Sequence, residues 1–230
     1  MALLKNKLSF LSHLIIWCQK KLIPSFLDLF FPLNCLSCTV PLTGDLKLLC
    51  GKCLDTLEKT KPIERCRTCY RYTGDEPCGF CKKSPSPFYK TYAPFEETTA
   101  TLALIHQLHS DSGAHLASSL AGLLLLFLDK SPLRDYDIII PSHDIGSLRL
   151  AQAFSLLTGH PFLNCFKTKN LLDHTTILQP KLSPQITEQR ILFISTGMHP
   201  FSHYLYEGQE LASAFPRSIQ KLFFQYKETI

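Results

Sequence analysis

Apolar positions recur along this chain with two periods. Leu102, Ile105 and Leu108 fall three residues apart and predict an amphipathic helix within 96–109. A second helix is predicted from Gly113 to Leu128; its stretch Leu123–Phe127 is apolar on every side and is expected to be buried. Ser147–Thr158, closed by Gly159, reads as a third helix, and Gln209–Phe215 as a fourth. Strand signals lie between them. Phe88–Phe95 alternates aromatic and polar residues, as a half-buried strand does. Ile138–Ile140 and Arg190–Ser195 are short apolar runs of the kind buried in a parallel sheet. Pro161–Cys165 resembles a further strand, and 219–226 closes as strand or helix. Residues 167–188, with Pro180 and Pro184, read as polar and irregular. Helices alternating with short apolar strands predict an α/β body with a parallel sheet.

The amino-terminal pattern differs. Leu8–Trp17 and Leu22–Phe31 are two apolar runs separated by Lys20 and Lys21, each too short to span a bilayer. Leu8, Leu11, Ile15 and Cys18 share one helical stripe, and so do Phe26, Leu27, Phe30 and Phe31. No small-residue cleavage site follows, which argues against a secretory signal peptide. The segment is expected to form helices packed on the protein, with an interfacial membrane helix as the sharper alternative. No transmembrane span is expected.

Between these regions lie eight of the ten cysteines, in four pairs of one spacing: Cys35/Cys38, Cys50/Cys53, Cys66/Cys69 and Cys78/Cys81. A two-residue gap turns both thiolates of a pair toward one ion, and Zn²⁺ takes four such ligands in a tetrahedron. Four pairs therefore predict two structural zinc sites that fold the segment and leave no open position for catalysis. Disulfides and a redox C-x-x-C are the competing readings. A secreted disulfide scaffold is usually shorter and poorer in core, and a redox pair needs a single exposed motif at a helix start. Sequential and cross-braced pairing both fit the intervals, with a leaning toward the sequential one. Cys18 and Cys165 stand outside the pairs and read as packing residues.

Length, at 230 residues, allows one medium α/β domain plus a small module. The expected organisation is 1–31 hydrophobic helices, 32–83 cysteine module and 84–230 α/β body. Net charge is +5, and residues 47–90 hold ten Lys/Arg against five Asp/Glu, so the excess belongs to the cysteine module. That points to phosphate or nucleic-acid contact. Eight thiolates around two Zn²⁺ would offset most of it.

Ligands in open parallel sheets bind beyond the carboxyl ends of the strands. Two such ends can be named: Ile140 into Pro141-Ser142-His143-Asp144, and Ile194 into Ser195-Thr196-Gly197-Met198-His199. The second carries hydroxyls and a glycine suited to an anion, without a Gly-rich run or a helix-starting Lys. His143, Asp144 and His199 can be drawn as an acid/base set, although nine histidines make such a coincidence ordinary.

The order of these elements, with Leu104-Ile-His-Gln-Leu108, Asp137-Ile-Ile-Ile-Pro-Ser142, Gln152-Ala153, Thr176-Ile-Leu-Gln179, Leu182-Ser183 and Arg190–Ile194, resembles the ComF family of competence proteins. The resemblance covers about residues 25–215. It implies a type I phosphoribosyltransferase-like parallel sheet behind an amino-terminal double zinc-ribbon-like module. In that family, two acidic residues after a hydrophobic strand hold the ribose of phosphoribosyl pyrophosphate, and a Thr-Thr-Gly-Ala-Thr type loop cradles its phosphate. Here Ser195-Thr196 stands at the acidic pair and His199-Pro-Phe-Ser-His203 at the loop, where Pro200 removes an N–H donor. Of the Arg-rich stretch after Pro-x-Pro, Arg149 remains. Little is left to hold Mg²⁺ or stabilise transfer chemistry. The resemblance thus implies a cytoplasmic or membrane-peripheral protein, non-catalytic, handling single-stranded DNA or serving as an adaptor to DNA-uptake proteins. An active enzyme with Ser195, Thr196, Gly197 and Ser202 as phosphate contacts is one alternative. A zinc-stabilised protein-interaction module is another.

Overall fold

The computed structural model describes residues 34–42, 48–73, 78–128, 131, 133, 135–170, 175–179, 182–198 and 201–226; for 168–170, 175–177 and 201–202 it describes the backbone alone. The helices expected over 1–31, and with them any membrane contact, lie outside the described residues. The chain divides into two compact units, Met1–Asp55 and Thr56–Ile230. The described part of the smaller unit is a cysteine knuckle followed by one short helix, α1 (Gly51–Asp55).

The larger unit opens on a 3₁₀ turn, Pro62–Glu64, and a second cysteine knuckle ending in helix α2 (Gly79–Lys83). Strands β1 (Lys90–Tyr92) and β2 (Phe95–Glu96) follow. Helix α3 (Thr99–His109) starts at a capping box in which the side chains of Thr98 and Thr101 each bond the other's backbone N–H. A 3₁₀ stretch, Asp111–Leu116, leads into α4 (Ala117–Leu128). Then come β3 (Ile138–Pro141), α5 (Ile145–Thr158), β4 (Phe166–Asn170), β5 (Thr175–Leu178) and α6 (Ser183–Ile186). The chain continues through β6 (Arg190–Ser195), α7 (Phe201–Ala212), β7 (Ser218–Phe223) and β8 (Gln225–Tyr226).

Four strands form a parallel sheet in the order β1-β7-β6-β3. Its centre is apolar on both faces: Ile191, Leu192, Phe193 and Ile194 of β6 are all fully buried. Strand β7, open to either reading in the sequence, lies between β1 and β6. β8 runs on beside β2, also in parallel.

Four expectations change. Pro161–Cys165 makes only one parallel bridge, Phe162 with Ile139, because the pairing runs through the Pro161 carbonyl and the Leu163 N–H. Residues 167–188 are not irregular throughout, since β4 and β5 pair as an antiparallel hairpin. Leu123–Phe127 is not buried all round. Helix α4 packs through Leu120, Ala121, Leu124 and Leu128, so Leu126, about 120–160° from each of these about the axis, is 72% exposed. By length and composition alone Asp111–Leu128 could cross a membrane; α4 packs through its buried residues against α5. Helix α7 also begins eight residues before the predicted Gln209 start.

Candidate metal centres

Each knuckle has the same construction. In the first, Cys35 N–H donates to the Val40 carbonyl at 2.8 Å and Thr39 N–H to the Cys35 carbonyl at 2.8 Å. In the second, Cys66 N–H donates to Arg71 at 2.9 Å and Tyr70 N–H to Cys66 at 2.8 Å. Each turn is closed by an antiparallel bridge, Asn34 with Pro41 and Arg65 with Tyr72. The residue behind the second cysteine takes a left-handed backbone in both, Thr39 at φ 60° and Tyr70 at φ 65°, a conformation costly for a residue with a β-carbon. The other pair of each cluster opens a helix. Cys50 precedes α1, and Cys78 caps α2, its Sγ accepting the Cys81 N–H at 3.4 Å.

These turns gather the cysteines sequentially: Cys35, Cys38, Cys50 and Cys53 in one cluster, Cys66, Cys69, Cys78 and Cys81 in the other, with all four sulfurs of each within 4.8 Å of one another. The Sγ atoms of Cys38 and Cys50 are 3.6 Å apart, those of Cys66 and Cys81 3.9 Å, and those of Cys69 and Cys78 3.5 Å. Four sulfurs at about 2.3 Å from one ion stand about 3.8 Å from each other in a tetrahedron, whereas a disulfide needs about 2.05 Å. None of the eight is joined in a disulfide. Two tetrathiolate clusters are thus compatible with two zinc ions, and they leave no vacant coordination position.

Electrostatics within the clusters also call for a cation. Burial raises the Cys35 thiol, but backbone N–H groups of Cys38, Cys50 and Ser37 outweigh it and lower it to about 6. Cys66 is lowered to about 7 in the same way, against burial, by N–H groups of Cys69, Thr68 and Cys78. Other thiols of each cluster are resisted. Ser37 draws Cys53 down, yet burial and the crowded sulfurs of Cys38, Cys50 and Cys35 push it up to about 12. Burial, with Cys78 and Cys66, pushes Cys69 up to about 12 against the pull of the Arg71 N–H and Cys81. In each cluster, then, one thiol ionises readily and others resist, and a cation bound among them would favour the thiolate form of all four.

The second knuckle is fastened to the sheet. Thr91 of β1 donates its N–H to the Arg67 carbonyl at 2.7 Å and its hydroxyl to Thr68 at 2.6 Å. The Arg65 guanidinium is buried over Tyr72 (3.9 Å), Tyr226 (4.6 Å) and Tyr70 (5.1 Å) and is paired with Glu96.

At the carboxyl edge of the sheet, β3 and β6 are neighbours, so the two loop starts named from sequence do meet: Ser142 N–H bonds the Ile194 carbonyl at 2.9 Å. Their polar groups are turned inward. Ser195 and Thr196 are fully buried. Ser195 Oγ accepts the Gly197 N–H at 3.2 Å, and the Thr196 N–H donates to Ser147 Oγ at 3.0 Å. Gly197 is required for packing: its φ is +86°, and a β-carbon there would stand 2.2 Å from the Gln225 carbonyl oxygen. Ser202 lies in the first turn of α7, its side chain outside the described residues, as is all of His199. Arg149 does not face the loop; its Nη1 caps α3 through the carbonyls of Leu108 (2.7 Å) and Ser110 (2.6 Å).

His143 and Asp144 fall into two separate pairs. Asp144 caps α5: Oδ1 accepts the Ser147 N–H at 2.7 Å and Oδ2 its hydroxyl at 2.6 Å. His109 Nε2 meets Oδ1 at 2.8 Å while its Nδ1 faces the Ile105 carbonyl at 2.8 Å. Two acceptors favour the imidazolium; burial opposes it, but Asp144 and Ile105 leave His109 raised above 6.5. A β-carbon at Gly146 would lie 2.3 Å from that ring. Glu207, fully buried, accepts from Ser142 Oγ (2.7 Å), His143 N–H (2.9 Å) and His143 Nδ1 (2.8 Å), and raises the His143 pKa. Sequence reasoning missed Glu207, placed before the predicted helix start, and missed His109 as a partner. The Asp144-x-x-Ser147 cap was visible in the sequence and went unread.

No protein-family model matches this chain, and no curated protein matches it.

Proposed function

We propose that this chain is a divergent ComF-like protein, with zinc-built cysteine knuckles and a phosphoribosyltransferase-like body that carries no transferase chemistry. It acts in the cytoplasm, or peripherally at a membrane, as a binding or adaptor protein for single-stranded DNA and the uptake proteins that deliver it. One observation carries the non-catalytic part. Where the resemblance puts a ribose-holding acidic pair, Ser195 and Thr196 are buried and their backbone is engaged inside the fold. The carboxylates of that edge, Asp144 and Glu207, are taken up by His109, Ser147, Ser142 and His143. Neither is left to grip ribose hydroxyls or Mg²⁺.

The surface around the second cysteine cluster supports the nucleic-acid part. Lys61, Arg67, Lys82 and Lys83 are exposed there. Tyr72 and Tyr89 are exposed with them. A cleft of about 470 Å³ runs past Thr68, Pro87, Tyr89 and Arg217. Cations that neutralise phosphates beside aromatic faces on which bases stack are the two requirements of sequence-tolerant single-strand binding.

The test is binding of the full-length, metal-loaded chain to a labelled single-stranded oligonucleotide over a salt series, with melting temperature read in parallel against phosphoribosyl pyrophosphate and Mg²⁺. The expected result is affinity that falls with salt, weakens several-fold in Lys82→Glu and Lys83→Glu, and no thermal shift. A thermal shift with turnover would establish an enzyme instead. Absence of both would leave a protein-interaction module.

A further inference from the structure

The two cysteine clusters share a ligand set and differ in surroundings. In the second, Cys66, Cys69 and Cys78 are 2%, 0% and 4% exposed, and Phe80 packs against them. Its knuckle is held by Thr91, and the Tyr70 hydroxyl bonds the Ala93 carbonyl at 3.0 Å. Opening it breaks each of these bonds. In the first cluster only Cys35 is buried; Cys50 and Cys53 are half-buried and Cys38 is exposed. Thr39 and Val40, directly behind Cys38, are exposed too. The exposed Cys38 sulfur lies 3.6 Å from that of Cys50.

From this contrast we infer that the amino-terminal cluster is a modification site that oxidants and thiol-directed electrophiles reach, releasing its zinc, while the second cluster keeps its ion. The inference rests on the metal reading of the cysteines and is independent of nucleic-acid binding. With hydrogen peroxide as oxidant, the Cys38 thiolate attacks one peroxide oxygen, the O–O bond breaks, and hydroxide leaves a sulfenic acid. The Cys50 thiolate then attacks the Cys38 sulfur, the S–S bond forms, and the sulfenic oxygen departs as a second hydroxide. Two electrons pass from the two sulfurs to the peroxide, and the two hydroxides take two protons from the buffer acid to become water. The ion, left with Cys35 and Cys53 alone, dissociates. Access decides the order, since thiolate reactivity at matched ligation follows exposure.

The experiment starts from the full-length reduced chain with its zinc content measured. Hydrogen peroxide is added, zinc release is followed with a chromogenic chelator, and free thiols are trapped and mapped by mass spectrometry. One ion per chain should leave at least about tenfold faster than the other. The early product should carry a Cys38–Cys50 disulfide, with Cys66, Cys69, Cys78 and Cys81 unmodified and the near-ultraviolet circular dichroism of the body retained. Cys38→Ser should hold one zinc and lose the fast phase; should that variant not fold, the wild-type map decides. Equal release from a two-zinc protein, or earlier modification of the second cluster, overturns this inference while leaving the metal reading intact. A zinc-free protein at the outset overturns both.

Discussion

Tyr70 stands edge-on to Tyr226, their ring centroids 5.5 Å apart and their planes at 69°. Tyr70 is the left-handed residue directly behind Cys69, and Tyr226 ends the last strand. The turn that aims Cys69 at a metal therefore also sets an aromatic anchor into the α/β body, where the Tyr70 hydroxyl meets Thr60 at 2.7 Å. An aromatic pair of this geometry contributes about 0.5–1.5 kcal/mol beyond its burial.

Metal removal should consequently be felt in the sheet and not only in the cysteine segment. Stripping zinc with a strong chelator under reducing conditions should lower the melting temperature by more than about 10 °C. Scanning calorimetry checks this; an unchanged transition would mean that the body does not depend on the second cluster.

The two histidine–carboxylate pairs predict a pH dependence. His109 and His143 have folded pKa values raised above 6.5. Their contribution is complete below about 6.5 and is lost as pH rises through the raised values. Asp144, although burial opposes it, is lowered below 3.8 by His109 and Ser147, so its contribution is lost as pH falls through that lowered value. Denaturant unfolding should show these pairs contributing most between about 3.8 and 6.5. Glu207→Gln should cost about 1–3 kcal/mol and remove the His143 share of the slope.

Lys221 gives a slope of opposite sign. It is fully buried on β7, its Nζ 4.1–4.3 Å from the ring centroids of Phe88, Tyr204 and Phe223. Burial pushes its pKa well below 10.5 despite Glu207. The unfolded chain binds the proton more tightly, so stability rises with pH from the lowered folded value up to about 10.5. Lys221→Met should flatten this rise and leave stability unchanged or higher by about 1–4 kcal/mol. A loss of several kcal/mol in unfolding titrations would show the ammonium to be needed.

Gly197→Ala should destabilise by more than about 2 kcal/mol, because the left-handed backbone and the Gln225 carbonyl both exclude a β-carbon. If Gly197 served a phosphate and not the packing, binding would fall while the unfolding midpoint stayed in place.

How much of this was legible follows from the range of each interaction. The β3 and β6 runs were plain because both faces are buried, and Gly159 marked the end of α5 through a local rule. The cysteine spacing announced the ligands, and the sequential grouping emerges from knuckle turns closed within a few residues of each pair. The β4–β5 hairpin was hidden by its Lys, Thr and Asn content, where β propensity from Thr competes with a polar composition that reads as loop. Glu207 and His109 could not be paired with His143 and Asp144 from sequence, since separations of 64 and 35 residues are bridged only by tertiary packing. The same packing turns Ser195 and Thr196 inward, which no local pattern signals.

The most direct measurement is zinc-edge X-ray absorption on the purified full-length chain, with metal content determined on the same sample. The account predicts close to two zinc ions per chain, each with four sulfur neighbours at about 2.3 Å and no nitrogen or oxygen ligand. Less than one ion per chain, or cysteines recovered as disulfides, would contradict it.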